Sequence, residues 1–210
     1  MAIFGGPGSG AMVAEALAVG DHSGAKSRLI GFLNDAIPAG ERISGTPVLG
    51  PFSSWRDLPD TVLFVAPLHR MAAMQERIEI IERLRIPPHR WTTVIDPRSA
   101  VAADAVIGQG SFVGPFATVA PGARIGAHAA VRANACVSHD CNLDDFVFVG
   151  SHAVICGYSS LGRGAYIAPS ATVRDRCSIG RFACVGLGSV VTENVPDFVT
   201  VAGVPARVFG

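Results

Sequence analysis

The chain has 210 residues, 49% of them hydrophobic and 16% charged, which is too apolar for a disordered chain and enough for one large or two small domains. Lys+Arg 17 and Asp+Glu 17 cancel to a formal net charge of zero, which excludes the basic field of a nucleic-acid or anionic-membrane binder. No apolar run reaches the roughly 18 residues of a membrane span, and the start lacks a basic leader, so a cytoplasmic protein without a membrane partner is expected.

In chain order, residues 2–4 read as a short apolar strand that ends in the turn Gly5-Gly6-Pro7-Gly8-Ser9-Gly10. Residues 11–19 have helical composition. Residues 28–33 form a second strand ending in Asn34-Asp35, and 47–50 a short edge strand. Residues 61–66 (TVLFVA) form a further strand. Residues 70–85 show an amphipathic helical spacing through Met71, Met74, Ile78 and Ile81, stopped by Ile86-Pro87-Pro88. Strands alternating with helices predict a small, Rossmann-like parallel α/β domain over residues 1–90. A glycine turn after a first strand suits a phosphate at a helix N-terminus, although this spacing equally fits a tight turn that lets the helix pack. Asp35 has the place of a ribose contact, or of an ordinary loop aspartate.

Residues 91–210 follow a different rule. Counting in sixes from Ile95 through Val101, Ile107 and Val113 to Val191, all 17 positions are Ile, Leu or Val. Two residues before each stands a small side chain, as at Ser99, Ala117, Ala135, Cys141 and Ala153, with Val147 the one larger member. Period six matches neither a helix nor a simple alternating strand. It predicts a left-handed parallel β-helix of hexapeptide repeats: three hexapeptides per coil, each a short strand and a tight turn, the aliphatic pointing inward. Residues 95–191 make about 5.4 coils and a prism about 26 Å tall at ~4.8 Å per coil. No residue is inserted in this stretch, so no loop should leave the coils, and the exposed lower edge needs a cap.

Several residues stand out against this frame. His139-Asp140 lies in a predicted turn, and Gly157 follows three hexapeptides later, on the same corner of the next coil. Taken alone, His139 is a turn histidine of open role. The cysteines Cys136, Cys141, Cys156, Cys177 and Cys184 contain no close pair and read as reduced, small core residues. His22, His69 and His89 fall in predicted loops and read as solvated. None of the spacings between successive histidines gives a plausible zinc set with His128 or His152, so no metal is expected. Trp55 and Trp91 read as domain-packing residues. Phe112, Phe116, Phe146, Phe148 and Phe182 are off the inward register and would be absorbed by a partner face. Arg163, Arg174, Arg181 and Arg207 read as surface residues, one or two of them available to phosphates.

The GGPGSG turn, GFLND, TPVLG, IDPRSAV, the hexapeptide run, SHDC placed mid-prism and the closing GVPAR together resemble the sialic-acid O-acetyltransferase-like sugar acyltransferases, including the N-acetyltransferases of nucleotide-linked 4-amino sugars of the bacillosamine and perosamine type. The resemblance spans essentially the whole chain. It implies a homotrimer with acetyl-CoA in the groove between adjacent prisms. It implies His139 as general base, Asp140 as the acid raising its basicity, and the Gly157 N–H as oxyanion donor. The chemistry is sound: an attacking amine or hydroxyl must lose a proton, and an imidazole with an ordinary pKa of about 6.5 can take it. The resemblance further implies cofactor contacts at Phe148, Pro169 and Leu187, and a nucleotide-sugar site at Pro7, Gly8, Ser9, Asn34 and Asp35. The chain departs from the family's frequent His at Phe148 and Ser9, its frequent Asp at Asn34, and its frequent Gly-Asn at Pro67-Leu68. The expected activity is N-acetylation of a nucleotide-linked amino sugar for a surface glycan. O-acetylation, a zinc hydratase on the same prism and a non-catalytic nucleotide-sugar binder are the alternatives.

Overall fold

The computed structural model describes residues 1–20 and 28–209; His22 lies outside the described residues. Five strands build the first sheet: β1 (Ala2–Phe4), β2 (Gly31–Leu33), β3 (Arg42–Ile43), β4 (Thr46–Gly50) and β5 (Phe64–Val65), in the order β3-β4-β2-β1-β5. Every pairing is parallel except the β3–β4 hairpin. Residues of β1, β2 and β5 are all buried, as the continuous apolar runs require for a sheet covered on both faces. Two expected strands are shorter than their apolar runs. The first expected residues of β2 lie outside it; the strand begins at Gly31, where a Cβ would stand 2.7 Å from the Pro47 carbonyl oxygen. Ahead of β5 a turn forms instead, with the Val62 N–H donating to the Pro59 carbonyl.

Helix α1 (Ser9–Val19) follows the glycine turn, and α2 (Met74–Leu84) lies between β5 and the prism. The expected start of α2 at residue 70 moves to Met74, because Ala72 takes a left-handed conformation (φ 58) that interrupts the helix. Its buried residues Met74, Ile78, Ile81 and Leu84 form one stripe at helical spacing. That stripe packs with Phe4, Phe64, Trp91 and Phe146.

From Val94–Ile95 to Val190–Val191 the chain makes two-residue strands stacked as three parallel sheets, each pairing displaced by one full coil, as in Val94↔Phe112 and Ile95↔Val113. Together with the hexapeptide repeat this is a left-handed β-helix. The aliphatic series and its small partners form one continuous core from Val113 to Val201, while Ile95, Val101 and Ile107 of the first coil are only partly buried. The upper end is closed by the hairpin of Thr200–Gly203 and Ala206–Val208. Of the cysteines, Cys141 and Cys177 are core residues as expected; Cys136, Cys156 and Cys184 are half-buried and off the inward register.

The α/β domain rests on one prism face, the one whose outward residues include Val94, Phe112, Phe148, Tyr166 and Cys184. Val94 and Phe112 share a core with Ile3, Val13 and Phe32, and Trp91 extends the sheet by a bridge to Phe64. The off-register aromatics are therefore explained within the chain: Phe112, Phe146 and Phe148 are buried by its own first domain, not by a partner. Phe116 alone of that expected group stays broadly exposed.

Candidate active site

Four-residue turns at 120–123, 138–141, 156–159 and 174–177 stack on one prism corner. In each of the four, the third residue takes the left-handed conformation: Gly122, Asp140, Tyr158 and Arg176, at φ 56–72. The strain of a non-glycine residue there is offset by backbone hydrogen bonds to the coil before. The Asp140 N–H donates to the Pro121 carbonyl at 3.1 Å and the Tyr158 N–H to the His139 carbonyl at 3.2 Å.

This conformation turns the Asp140 carboxylate back onto its neighbour. His139 Nδ1 and Asp140 Oδ2 are 2.9 Å apart. With the carboxylate accepting, a neutral imidazole holds its proton on Nδ1 and leaves Nε2 as the acceptor. Nε2 looks across Gly157, where a Cβ would come within 2.7 Å of it, and the other carboxylate oxygen lies over Gly122, where a Cβ would come within 2.6 Å. Two glycines, one on the coil before and one on the coil after, thus make room for the pair. The Tyr158 ring stands edge-on to the imidazole at 5.0 Å, and the Arg176 guanidinium lies 4.6 Å over Tyr158. The side chains of His139 and Asp140 are 54% and 49% exposed, so the pair can meet a second molecule without rearrangement. A paired imidazole whose Nε2 is open to solvent can accept a proton from a second molecule. The sequence singled out His139, Asp140 and Gly157. It missed Gly122, Tyr158 and Arg176, although the coil period places all three at the same turn position as Asp140.

The other expected residues form two further groups. At the C-terminal edge of the first sheet, Pro7 and Gly8 are exposed and Ser9 opens α1 behind Gly8 (φ 91), which offers no side-chain cap. Asn34 is held there as a clamp: its amide donates to the Gly5 carbonyl at 2.9 Å, and its oxygen accepts from the Ala36 and Ile37 N–H groups. Asp35 accepts from the Phe52 N–H at 2.7 Å. Asn34 thereby fixes the shape of the glycine turn, with its polar atoms engaged by the chain itself. Pro169 and Leu187 lie one coil apart on a different corner from His139, Leu187 being 69% exposed. Phe148 lies on neither corner. It is stacked on Tyr166 at 4.4 Å and tilted against His69 at 5.6 Å, beneath the loop that follows β5.

The histidines also divide. His69 is packed, contrary to the solvated reading: its Nε2 lies 2.8 Å from the His128 carbonyl, and burial pushes its pKa down to about 4. His128 sits between Trp91 and the stacked ring of Phe146, and burial pushes it down to about 4 as well. Among the described residues, no group of three His, Cys, Asp or Glu could hold a metal ion. Arg163 is tied to Glu82 and Asp145, and Arg181 to Asp197, so neither is a free cation. No helix of the described residues is long and apolar enough to cross a membrane.

The fold, a hexapeptide-repeat prism with an α/β domain ahead of it, is shared with solved acetyltransferases. The family model "Bacterial transferase hexapeptide (six repeats)" matches residues 104–139. Among solved structures, the acetyltransferase domain of PglB from Neisseria gonorrhoeae, in complex with acetyl coenzyme A, is 29% identical, with 99% of this chain and 98% of that one covered and a TM-score of 0.87. A variant of the GDP-perosamine N-acetyl transferase of Caulobacter crescentus, in complex with CoA and GDP-perosamine, is 25% identical, covering 100% and 96%, with a TM-score of 0.85. WeeI from Acinetobacter baumannii, at 24% identity and a TM-score of 0.78 over 99% and 98%, shares the fold. A search of curated proteins gave no match. The chain is thus similar over its whole length to these proteins, two of them acetyltransferases, as the motifs around the glycine turn, SHDC and GVPAR predict.

Proposed function

We propose that this protein transfers the acetyl group of acetyl-CoA to the amino group of a nucleotide-linked 4-amino-deoxysugar in the cytoplasm, for a surface polysaccharide. The observation that carries this reading is the His139–Asp140 pair at 2.9 Å with Nε2 over Gly157. The two solved relatives that bind acetyl-CoA, or CoA and GDP-perosamine, support the co-substrate and the acceptor class. In the proposed reaction the sugar amine attacks the thioester carbonyl directly. Nε2 of His139 takes the amine proton, Asp140 stabilises the imidazolium, and the Gly157 N–H holds the oxyanion until the CoA thiolate leaves. The nucleotide sugar occupies the ledge of Pro7, Gly8, Ser9, Asn34 and Asp35.

The working unit is proposed to be a homotrimer, with acetyl-CoA between the corner of His139 and a neighbour's corner of Pro169 and Leu187. The prism face between these two corners supports this. Its outward residues Ala100, Thr118, Cys136, Val154, Thr172 and Val190 are small, which allows close approach of a second prism. Phe148 is covered by the chain's own loop, so the proposed groove rests on Pro169 and Leu187.

The test is CoA release from acetyl-CoA with UDP-, GDP- and dTDP-linked 4-amino sugars, with His139→Ala beside the wild type. Turnover with one sugar, lost at least roughly a hundredfold in the variant, is expected. Release with hydroxyl acceptors alone would replace N- by O-acetylation, and binding without any turnover would show a non-catalytic homologue.

A further inference from the structure

Arg132 is the first residue of a prism turn, yet its side chain is only 8% exposed. Among the described residues it forms no ion pair. Its Nη2 lies 2.6 Å from the Met12 sulfur in the first turns of α1, and its guanidinium lies 5.8 Å from the Phe112 ring and 5.9 Å from Phe148. A thioether is a weak acceptor, and two aromatic faces compensate little of the cost of taking a full charge out of water. Burial accordingly lowers the Arg132 pKa, and the Tyr166 phenol is the one group that opposes this. His69, the other titratable group beside it, is held neutral. A buried cation without a carboxylate, placed against a helix start whose N-cap Gly8 supplies no side chain, is a half-built anion site.

We propose that Arg132 grips the diphosphate of the nucleotide-linked sugar above the first turn of α1, the Met12 thioether giving way to the phosphate oxygens. This rests on the reading of the glycine turn as the nucleotide-sugar ledge. Acetyl-CoA also carries a diphosphate. Arg132 shares its prism corner with the proposed CoA contacts Pro169 and Leu187, but it lies two and three coils before them and against Met12 of α1, three residues after Ser9 of the ledge, which assigns it to the sugar nucleotide. The prism therefore contributes to substrate binding through a residue that the first domain covers. A guanidinium suits the task because its fork meets two phosphate oxygens at once.

The experiment is calorimetric titration of the full-length protein with UDP, GDP, dTDP and CoA, in wild type, Arg132→Met and Arg132→Lys, with thermal unfolding alongside. Wild type is expected to bind one nucleoside diphosphate. Arg132→Met should weaken that binding at least roughly tenfold and flatten its salt dependence, and Arg132→Lys should recover part of it. CoA binding should change by less than about twofold, and the melting temperature should hold or rise on losing an unpaired buried charge. Equal nucleoside-diphosphate affinity in Arg132→Met would overturn the proposal and leave the ledge standing. Loss confined to CoA would reassign the arginine to the cofactor and likewise overturn it. Failure of wild type to bind any of the three nucleotides would remove the ledge reading and the proposal together. Should Arg132→Met not fold, Arg132→Lys with unchanged affinity and unchanged salt dependence would still refute it.

Discussion

Gly157→Ala isolates the position of the imidazole from everything else at the corner. The added Cβ would lie 2.7 Å from His139 Nε2 and 2.8 Å from Cε1. Non-bonded carbon contacts settle near 3.5–4.0 Å, so the ring must retreat by roughly 1 Å. Gly157 is not among the residues with positive φ, and alanine therefore fits its backbone without strain. It also keeps the N–H proposed to hold the oxyanion. His139 is half exposed and can swing outward, so the melting temperature should move by no more than a few degrees. The chemistry should not be so tolerant: a misplacement of about 1 Å costs on the order of a hundredfold in rate, about 2.7 kcal/mol. The assay is steady-state CoA release with the accepted sugar, with acetyl-CoA affinity measured beside it. A kcat near 1% of wild type with the affinity kept is expected. A kcat within threefold of wild type, on a folded protein, would refute the argument that Nε2 works from its place over Gly157.

Asp140→Asn keeps a side chain that tolerates φ 56 but removes the charge facing Nδ1; kcat should fall roughly ten- to hundredfold with little change in melting temperature, and an unchanged kcat would remove Asp140 from the mechanism. His69 and His128, both pushed down to about 4, are neutral in the fold but protonate near 6.5 when unfolded. Each contributes stability that is present above pH 6.5 and lost as pH falls towards 4, at most about 3 kcal/mol for His69. His69→Gln, which keeps an N–H for the His128 carbonyl, should lose less stability between pH 6.5 and 4.5 than wild type, and parallel denaturation curves would contradict this. Ile155→Ala, in the middle of the continuous prism core and fully buried, should cost about 2–5 kcal/mol in chemical denaturation; a cost under 1 kcal/mol would mean that the coil collapses around it.

The prism was legible because one residue in six is fixed by one physical demand, filling a triangular core that repeats with every coil. The same period puts His139 and Gly157 on one corner. What was not legible depends on which prism face the first domain covers. Phe112, Phe146 and Phe148 are off the inward register, and nothing in their spacing distinguishes a partner subunit from the chain's own α/β unit as their cover. His69 and Arg132 were missed for the same reason, since both are buried by docking between elements far apart in sequence. Asn34 was singled out as a nucleotide-sugar contact; its clamp on Gly5 needs the register of two strand ends, which a local reading of GFLND does not contain.

The three faces of the prism now explain one another through their outward residues. Where Phe112, Phe148 and Tyr166 point outward, the α/β domain lies on them; where Arg124, Asn142, Ser160 and Ser178 do, the face meets water. The third face carries Ala100, Thr118, Cys136, Val154, Thr172 and Val190, too apolar to need water and too small to need a domain. It is bordered by the corner of His139 on one side and that of Pro169 and Leu187 on the other. If a second prism covers this face, the His139 corner of each chain faces the Pro169–Leu187 corner of its neighbour, as the proposed function requires. A strictly monomeric protein at assay concentrations by light scattering, with full turnover, would break that argument. A trimer whose assembly and activity are lost together on Val154→Arg, at an outward position that leaves the core unchanged, would sustain it.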